Sequence, residues 1–269
     1  MKILVIGGGN MGLTYAQSFL RSHITNKENM MILEKSPEKA FQLAKKDIGT
    51  IYSDASKCIK GADLIIFAVK PQDSPKLFES LRPFVDQQQV FLSIMAGVKI
   101  KTICDALNIK KVIRAMPNLP AQIGMGMTAF TSSDDVTRIE LVMVQNLINT
   151  TGKSIYVEKE ASIDSATAIS GSGPAYVYYF MNAMILAAKK MGFSESESEL
   201  LISQTFRGAT DLYRKADFSC EEWIAKVSSK GGTTEAAMKS FLQNSVHEDI
   251  IEGAEAALNR AIELGKTES

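Results

Sequence analysis

Along the first 115 residues, short runs of apolar side chains alternate with stretches whose apolar positions recur at helical spacing. Lys2–Ile6, Met30–Leu33, Asp63–Val69, Gln89–Ile94 and Lys111–Ala115 are apolar almost without interruption, which predicts strands covered on both faces. Between them, Met11–Leu20, Pro37–Lys46, Ser74–Leu81 and Lys99–Leu107 show the spacing of one-sided helices. Strand-helix alternation predicts βαβ units, hence a parallel sheet with right-handed crossovers. A further helix over Asp134–Asn149 and a short strand over Ser154–Val157 close this region, placing a domain boundary near residue 160.

The remainder, 161–269, carries no strand pattern. Ser172-Gly173-Pro174 opens a long helix running to Met191, with Pro174 in the first turn and Gly192 as a stop. Ser194-x-x-Glu197 is a capping box for a helix to about Lys215, and Ser219-x-x-Glu222 is a second one. Helical spacing continues from Thr233 and again over Val246–Leu264. The prediction is an α/β domain over 1–160 followed by an all-α domain over 161–269. The helix at 174–191 is apolar on nearly every face, so it must be surrounded. So short a helical domain would hardly enclose it alone, which predicts an intimate homodimer.

Composition narrows the function. The chain has 269 residues, 30 basic and 30 acidic, so a nucleic-acid binder working through a broad basic face is not expected. No apolar run reaches the ~20 residues of a membrane span. The opening Met1–Ile6 segment stops at a glycine cluster before it could serve as a signal peptide, so a cytoplasmic protein is expected. Cys58, Cys104 and Cys220 are scattered singletons, read as reduced thiols. With only His23 and His247, neither a metal site nor a Ser-His-Asp hydrolase is well supplied. Acid-base work must come from elsewhere, or the demanding chemistry belongs to a cofactor.

A cofactor site is written into the first turn. Gly7-Gly8-Gly9-Asn10-Met11-Gly12 gives G-x-G-x-x-G directly after the first strand and at the start of the first helix. Gly7 allows the tight turn, Gly9 lets a pyrophosphate approach the backbone, and Gly12 permits close helix-strand packing. Glu34, 22 residues beyond Gly12, stands where an acid would bind a ribose 2′-hydroxyl and select NAD. Lys35 and Ser36 follow at once and could instead hold the 2′-phosphate of NADP; at this level the two signals conflict. Ala68-Val69-Lys70-Pro71 ends the strand over Asp63–Val69 at the sheet's carboxyl edge, where Lys70 reads either as a cation for a ligand or as a solvated surface residue. Met116-Pro117-Asn118-Leu119-Pro120 follows the strand over Lys111–Ala115 as a rigid loop in which Asn118 offers both donors and acceptors. In the helical domain, Gly231-Gly232-Thr233-Thr234 runs into a helix start, a suitable nest for a carboxylate or simply a capped helix with a flexible approach.

Taken together these segments resemble pyrroline-5-carboxylate reductases over essentially the full length. The matching words are Ile6–Gly12, Ala62–Gln72, Ser93–Ile100, Arg114–Pro120, Ala168–Tyr176, Gln204-Thr205 and Val227–Thr234, in order through both domains. The resemblance implies an N-terminal Rossmann-type doubly wound domain, an all-α dimerisation domain and, in many members, rings of dimers. It implies reduction of 1-pyrroline-5-carboxylate, a cyclic imine carboxylate, to proline by hydride transfer from NAD(P)H, the last step of proline biosynthesis. The dinucleotide would lie over Gly7, Gly9, Asn10, Met11 and Gly12, with Glu34, Lys35 and Ser36 at its adenosine end. Ala68, Val69, Lys70, Pro71 and Asn118 would face its nicotinamide end. The substrate carboxylate would sit on Gly231, Gly232, Thr233 and Thr234 at the dimer interface, and the Thr234 hydroxyl would bond the ring nitrogen. The basic-Ser pair at Lys35-Ser36 tips the resemblance slightly toward NADPH over NADH. Three positions depart from the family: Leu119 replaces a Thr, Lys230 a Pro, and Ala55 an Asn that contacts the adenosine half. Two other readings remain: another NAD(P)-dependent imine or hydroxyacid reductase, and a non-catalytic NAD(P)-binding regulator.

Overall fold

The computed structural model describes residues 1–266. Its sheet has eight strands: β1 (Ile3–Ile6), β2 (Met30–Leu33), β3 (Thr50–Tyr52), β4 (Leu64–Phe67), β5 (Val90–Ser93), β6 (Val112–Met116), β7 (Gly126–Ser132) and β8 (Gly152–Tyr156). Their spatial order is β3-β2-β1-β4-β5-β6-β7-β8. The strands from β1 to β6 pair in parallel, β7 is antiparallel to β6, and β8 is parallel to β7. The order reverses at β1, so the crevice between β1 and β4 at their carboxyl ends is the topological switch point, where open α/β sheets bind ligands.

Successive residues of a strand face opposite sides, and here both sides are packed. Leu4 and Ile6 of β1 join Ile65 and Phe67 of β4 under α3 (Ser74–Leu81) and α4 (Ile100–Leu107). Ile3 and Val5 instead join Leu64 and Ile66 under α1 (Asn10–Arg21), α2 (Pro37–Ala44) and α5 (Arg138–Asn149). Because all four residues of β1 are buried, the strand reads as a continuous apolar run. Each fully buried Leu, Ile or Val contributes about 1.5–3 kcal/mol by leaving water, so the two-sided packing holds the switch point rigidly.

The expected helices all form, several with ends moved by a residue or two and one start moved further. The helix predicted from Asp134 begins at Arg138, because Thr137 caps it by accepting from the Glu140 N–H, and Glu140 bonds back to the Thr137 N–H. Two strands lie outside the sequence expectation. β3 has only three residues, none fully buried. β7 buries two threonines, Thr128 and Thr131, and so lacks a continuous apolar run.

Past β8 the described chain is helical throughout: α6 (Ala161–Ala166), a wide π turn (Thr167–Gly171), α7 (Gly173–Lys190), α8 (Glu195–Tyr213), α9 (Cys220–Val227), α10 (Thr233–Gln243) and α11 (Val246–Lys266). The capping boxes expected at Ser194 and Ser219 both form. The chain makes two compact units, residues 1–173 together with the segment from Ala257 onward, and residues 174–256. Within the first unit, the end of α11 returns to the loop after β5: a Cβ added to Gly97 (φ +78°) would lie 3.2 Å from the Leu264 backbone. Of the residues of α7, only Ala188 is buried. No helix among the described residues is long and apolar enough to cross a membrane.

Candidate active site

The loop between β1 and α1 is shaped by its glycines, each for a separate reason. Gly7 has φ +102°, and a Cβ there would meet the Ala68 carbonyl oxygen at 2.7 Å. Its N–H donates to the Leu33 carbonyl at 2.9 Å, locking the turn to the end of β2. A Cβ on Gly12 would press on the Gly7 carbonyl oxygen and touch Val5 and Ala68, so α1 approaches β1 and β4 more closely than any side chain permits. Gly9 caps α1 in extended conformation without a side-chain bond, and a Cβ there would meet nothing within 4 Å. That open space lies at the amino end of a 12-residue helix, with its unpaired first-turn N–H groups. The three positions match the three needs of a dinucleotide turn: strain relief, closeness, and room for a pyrophosphate.

A cleft of about 470 Å³ opens beside this loop. Of the residues predicted to bind a dinucleotide, Gly7, Gly9, Glu34, Lys35, Ser36, Ala68, Val69 and Lys70 line it. Asn10, Met11 and Gly12 form the first turn of α1, and Pro71 begins a short 3₁₀ turn leading to α3. Three charged residues that the sequence reading did not single out also line the cleft: Lys39 from α2, Asp73 before α3, and Lys76 within α3. Four lysines (Lys35, Lys39, Lys70, Lys76) and two acids (Glu34, Asp73) therefore line it together.

Glu34 is committed to the backbone. One carboxylate oxygen accepts from the Gly8 N–H at 3.0 Å and the other from the Ser36 N–H at 2.9 Å. The side chain thereby brackets the glycine loop to the turn after β2. Ser36 caps α2, its hydroxyl oxygen accepting from the Lys39 N–H. Lys39 thus stands in the first turn of α2, an element whose start is fixed by Ser36, while Lys35 lies just before that cap.

Two strands away from β4, Arg114 in the middle of β6 is buried and bonds two carboxylates, Glu160 at 3.1 Å and Asp164 at 2.7 Å. Glu160 also accepts from the Ile100 N–H at 2.8 Å. The sequence word containing Arg114 was recognisable, but its partners lie 46 and 50 residues away. Asn118, in the Pro loop that follows, accepts from the Met127 N–H at 2.9 Å and donates to the Ser170 carbonyl at 3.0 Å. Its amide is occupied by backbone, and it does not line the cleft beside Gly7. Leu119 is largely exposed, and Ala55 packs half-buried against the core under α3.

In the second unit, Gly231 has φ +74° and its N–H donates to the Glu235 carboxylate. Gly232 caps α10 without a side-chain bond, and its N–H donates to the Ser229 carbonyl at 2.9 Å. Thr233 and Thr234 then open α10. Their N–H groups fall in the first turn, where a helix has no carbonyls to offer, and a helix start of this kind favours an anion. The nest predicted over Gly231–Thr234 is therefore narrower than its four residues, because Gly231 and Gly232 spend their N–H groups locally.

Comparison with known proteins agrees with both halves. A family model described as pyrroline-5-carboxylate reductase dimerisation matches residues 160–264, and one described as NADP oxidoreductase, coenzyme F420-dependent, matches residues 2–97. The chain is 34% identical to pyrroline-5-carboxylate reductase 2 of Bacillus subtilis, over 98% of this chain and 95% of that protein. It is 32% identical to pyrroline-5-carboxylate reductase of Aquifex aeolicus, over 99% of this chain and 97% of that one. Among solved structures, pyrroline carboxylate reductase of Plasmodium falciparum with NADP bound superposes with a TM-score of 0.89 at 28% identity, covering 98% of each chain. With a dinucleotide turn in one unit, a glycine-threonine helix start in the other, and such relatives along its full length, the chain belongs to the pyrroline-5-carboxylate reductase family.

Proposed function

We propose that this protein reduces 1-pyrroline-5-carboxylate to L-proline at the expense of NAD(P)H, as the last step of proline biosynthesis. The observation that carries the reading is the pairing, in one chain, of the Gly7–Gly12 turn with the Gly232–Thr234 helix start. Relatives bearing that activity as their name match from end to end. When bound, the dinucleotide supplies a hydride to the C=N carbon, while the ring nitrogen takes a proton. The chain's residues bind and orient. Gly7, Gly9 and the first turn of α1, from Asn10 through Met11 to Gly12, cradle the pyrophosphate. Ala68, Val69, Lys70 and Pro71 border the path toward the nicotinamide. The Thr233 and Thr234 N–H groups take the substrate carboxylate, with Gly231 and Gly232 shaping the turn, and the Thr234 hydroxyl bonds the ring nitrogen and steadies its charge. None of these tasks needs a histidine.

NADPH is the favoured dinucleotide. Lys35, Ser36 and Lys39 supply two cations and a hydroxyl at the adenosine end, and the Glu34 carboxylate already has two backbone partners. The Plasmodium falciparum relative was solved with NADP bound. The largely exposed apolar surface of α7 supports homodimerisation through the helical unit, and rings of such dimers are a further step in assembly. Three free cysteines favour a reducing compartment, the cytoplasm.

The test is oxidation of NADPH and NADH, each with pyrroline-5-carboxylate and with a panel of other cyclic imines and 2-keto acids. Turnover of pyrroline-5-carboxylate with NADPH ahead of NADH is expected. Turnover confined to another imine or keto acid, or dinucleotide binding with no turnover at all, would overturn the proposal. Removing the Thr234 hydroxyl by Thr234→Ala should cost about 1–3 kcal/mol in kcat/KM, the scale of one hydrogen bond to a charged group.

A further inference from the structure

We infer that Asn118 is a positioning residue: it gives the Ser170 carbonyl the hydrogen bond that Pro174 lacks, and so fixes the π turn against the Pro loop at the sheet's carboxyl edge. The inference rests on the proposed reductase reading for its catalytic consequence, though not for its structural part.

In a continuing α-helix the carbonyl of residue 170 would accept from the N–H of residue 174. Residue 174 is proline and has none. The ladder is already disturbed there, since the Ser172 N–H bonds five residues back to the Thr167 carbonyl at 2.9 Å. Two side chains stitch the widened turn from within: the Ser170 hydroxyl donates to the Ala166 carbonyl at 3.0 Å, and the Thr167 hydroxyl to the Ile163 carbonyl at 2.8 Å. Asn118 reaches in from outside. Its Nδ2 donates to the Ser170 carbonyl at 3.0 Å, while its Oδ1 holds the Met127 N–H at the start of β7. Two residues earlier, at the end of β6, Met116 packs on the same turn: a Cβ on Gly171 would fall 2.8 Å from the methionine's terminal carbon.

Two sequence words, one over Arg114–Pro120 and one over Ala168–Tyr176, are thus parts of one device. Pro174 leaves a carbonyl open, Asn118 fills it, and Gly171 leaves room for Met116. The device stands at the carboxyl edge, the side on which doubly wound sheets bind ligands, and wide turns of this kind recur at functional sites. Loosening it should disturb the geometry of transfer and spare the pyrophosphate grip, which depends on a different loop.

The test uses the full-length enzyme with Asn118→Asp, Asn118→Ala, Pro174→Ala and the double variant Asn118→Ala/Pro174→Ala. An aspartate keeps the acceptor for Met127 but cannot donate to Ser170, so it isolates the bond in question. It also serves if the alanine variant fails to fold. Expected is a loss of about tenfold in kcat for both Asn118 variants with the NADPH KM moved less than about threefold, the scale of one buried carbonyl left without its donor. Pro174→Ala restores an N–H to position 174 and should recover most of kcat in the Asn118→Ala background, a non-additive gain confined to that background. Unchanged kcat in Asn118→Asp, a rise in KM without loss of kcat, or no rescue by Pro174→Ala would each overturn the inference. If the wild-type protein does not reduce pyrroline-5-carboxylate, the proposed function fails and amide exchange decides this one. Faster exchange over Thr167–Ser172 in both Asn118 variants, slowed again by Pro174→Ala, supports the device, and unaltered exchange removes it.

Discussion

A methyl group added at Gly12 would press on the Gly7 carbonyl oxygen, a backbone atom that cannot swing away. Gly12→Ala should therefore cost about 2–3 kcal/mol, read as a lower urea midpoint, and should abolish NADPH binding because the loop itself must shift. Gly9→Ala meets no atom within 4 Å and should leave stability untouched while still weakening dinucleotide binding, since its Cβ enters the open space where the proposed dinucleotide's pyrophosphate would lie. Glu34 and Lys39 set the second residue-scale expectation. Under the proposed binding mode Glu34→Gln removes a negative charge from the adenosine end of the cleft, so the ratio of kcat/KM for NADPH over NADH should rise severalfold, about 1 kcal/mol. Lys39→Ala should lower the same ratio to a similar degree. Paired steady-state kinetics with both dinucleotides reads the two shifts, and an unmoved ratio in both variants would leave neither residue a role in selectivity.

At the scale of elements, the buried Arg114 joins β6 to α6 through Asp164 and to the residue preceding α6 through Glu160. Arg114→Leu would strand two carboxylates with no cation, and the expected loss is about 3–5 kcal/mol by equilibrium unfolding. Adding Glu160→Gln and Asp164→Asn should return part of it, because the penalty is that of uncompensated charge rather than of lost attraction. The ion pair also shows where sequence reading stops. The strands from β1 to β6 that are buried on both faces were legible as apolar runs, and the helices with boxes at Ser194 and Ser219 announced their own starts. β3 was too short to show a period, and β7 hid behind Thr128 and Thr131, whose polarity breaks an apolar run although their branched side chains suit a strand. The glycine turn was legible because its chemistry is local in sequence. Lys39 and Lys76 were not, for they reach the cleft only once α2 and α3 are laid against the sheet. Asn118 was visible as a polar residue in a rigid loop, but its partner on the π turn lies 52 residues on, and no local pattern could name it.

For the whole molecule, the helical unit and the buried titratable groups give separate expectations. Tyr179 on α7 is 75% exposed, and other large apolar side chains of that helix, Val177 and Tyr178 among them, are exposed with it. A charge there, as in Tyr179→Asp, should shift sedimentation from a multiple of the 29.4 kDa chain toward the single chain, whereas the same change would be silent if the surface faced water in the assembled protein. Burial pushes the Cys58 thiol up to about 11 and the Tyr15 phenol up to about 12. In both, the folded chain holds its proton more tightly than the unfolded chain does. Their contribution to stability is complete below the ordinary values of 9.0 and 10.0 and drains away as pH rises through the raised ones. Urea midpoints should therefore fall from about pH 9 upward, with Cys58→Ala shifting the onset of the decline to higher pH.

The seat of Gly97 on Leu264 and Gly265 has a consequence for synthesis. A ribosome finishes the sheet and its covering helices long before it reaches the segment from Ala257, yet that segment belongs to the same compact unit. The nucleotide-binding unit thus starts to fold before the helical one yet is completed after it, its closing piece arriving only once residues 174–256 have been made. A nascent chain arrested before residue 257 should hold the glycine turn in place and leave the loop after β5 unsupported, open to protease until the missing turns are supplied as a separate peptide.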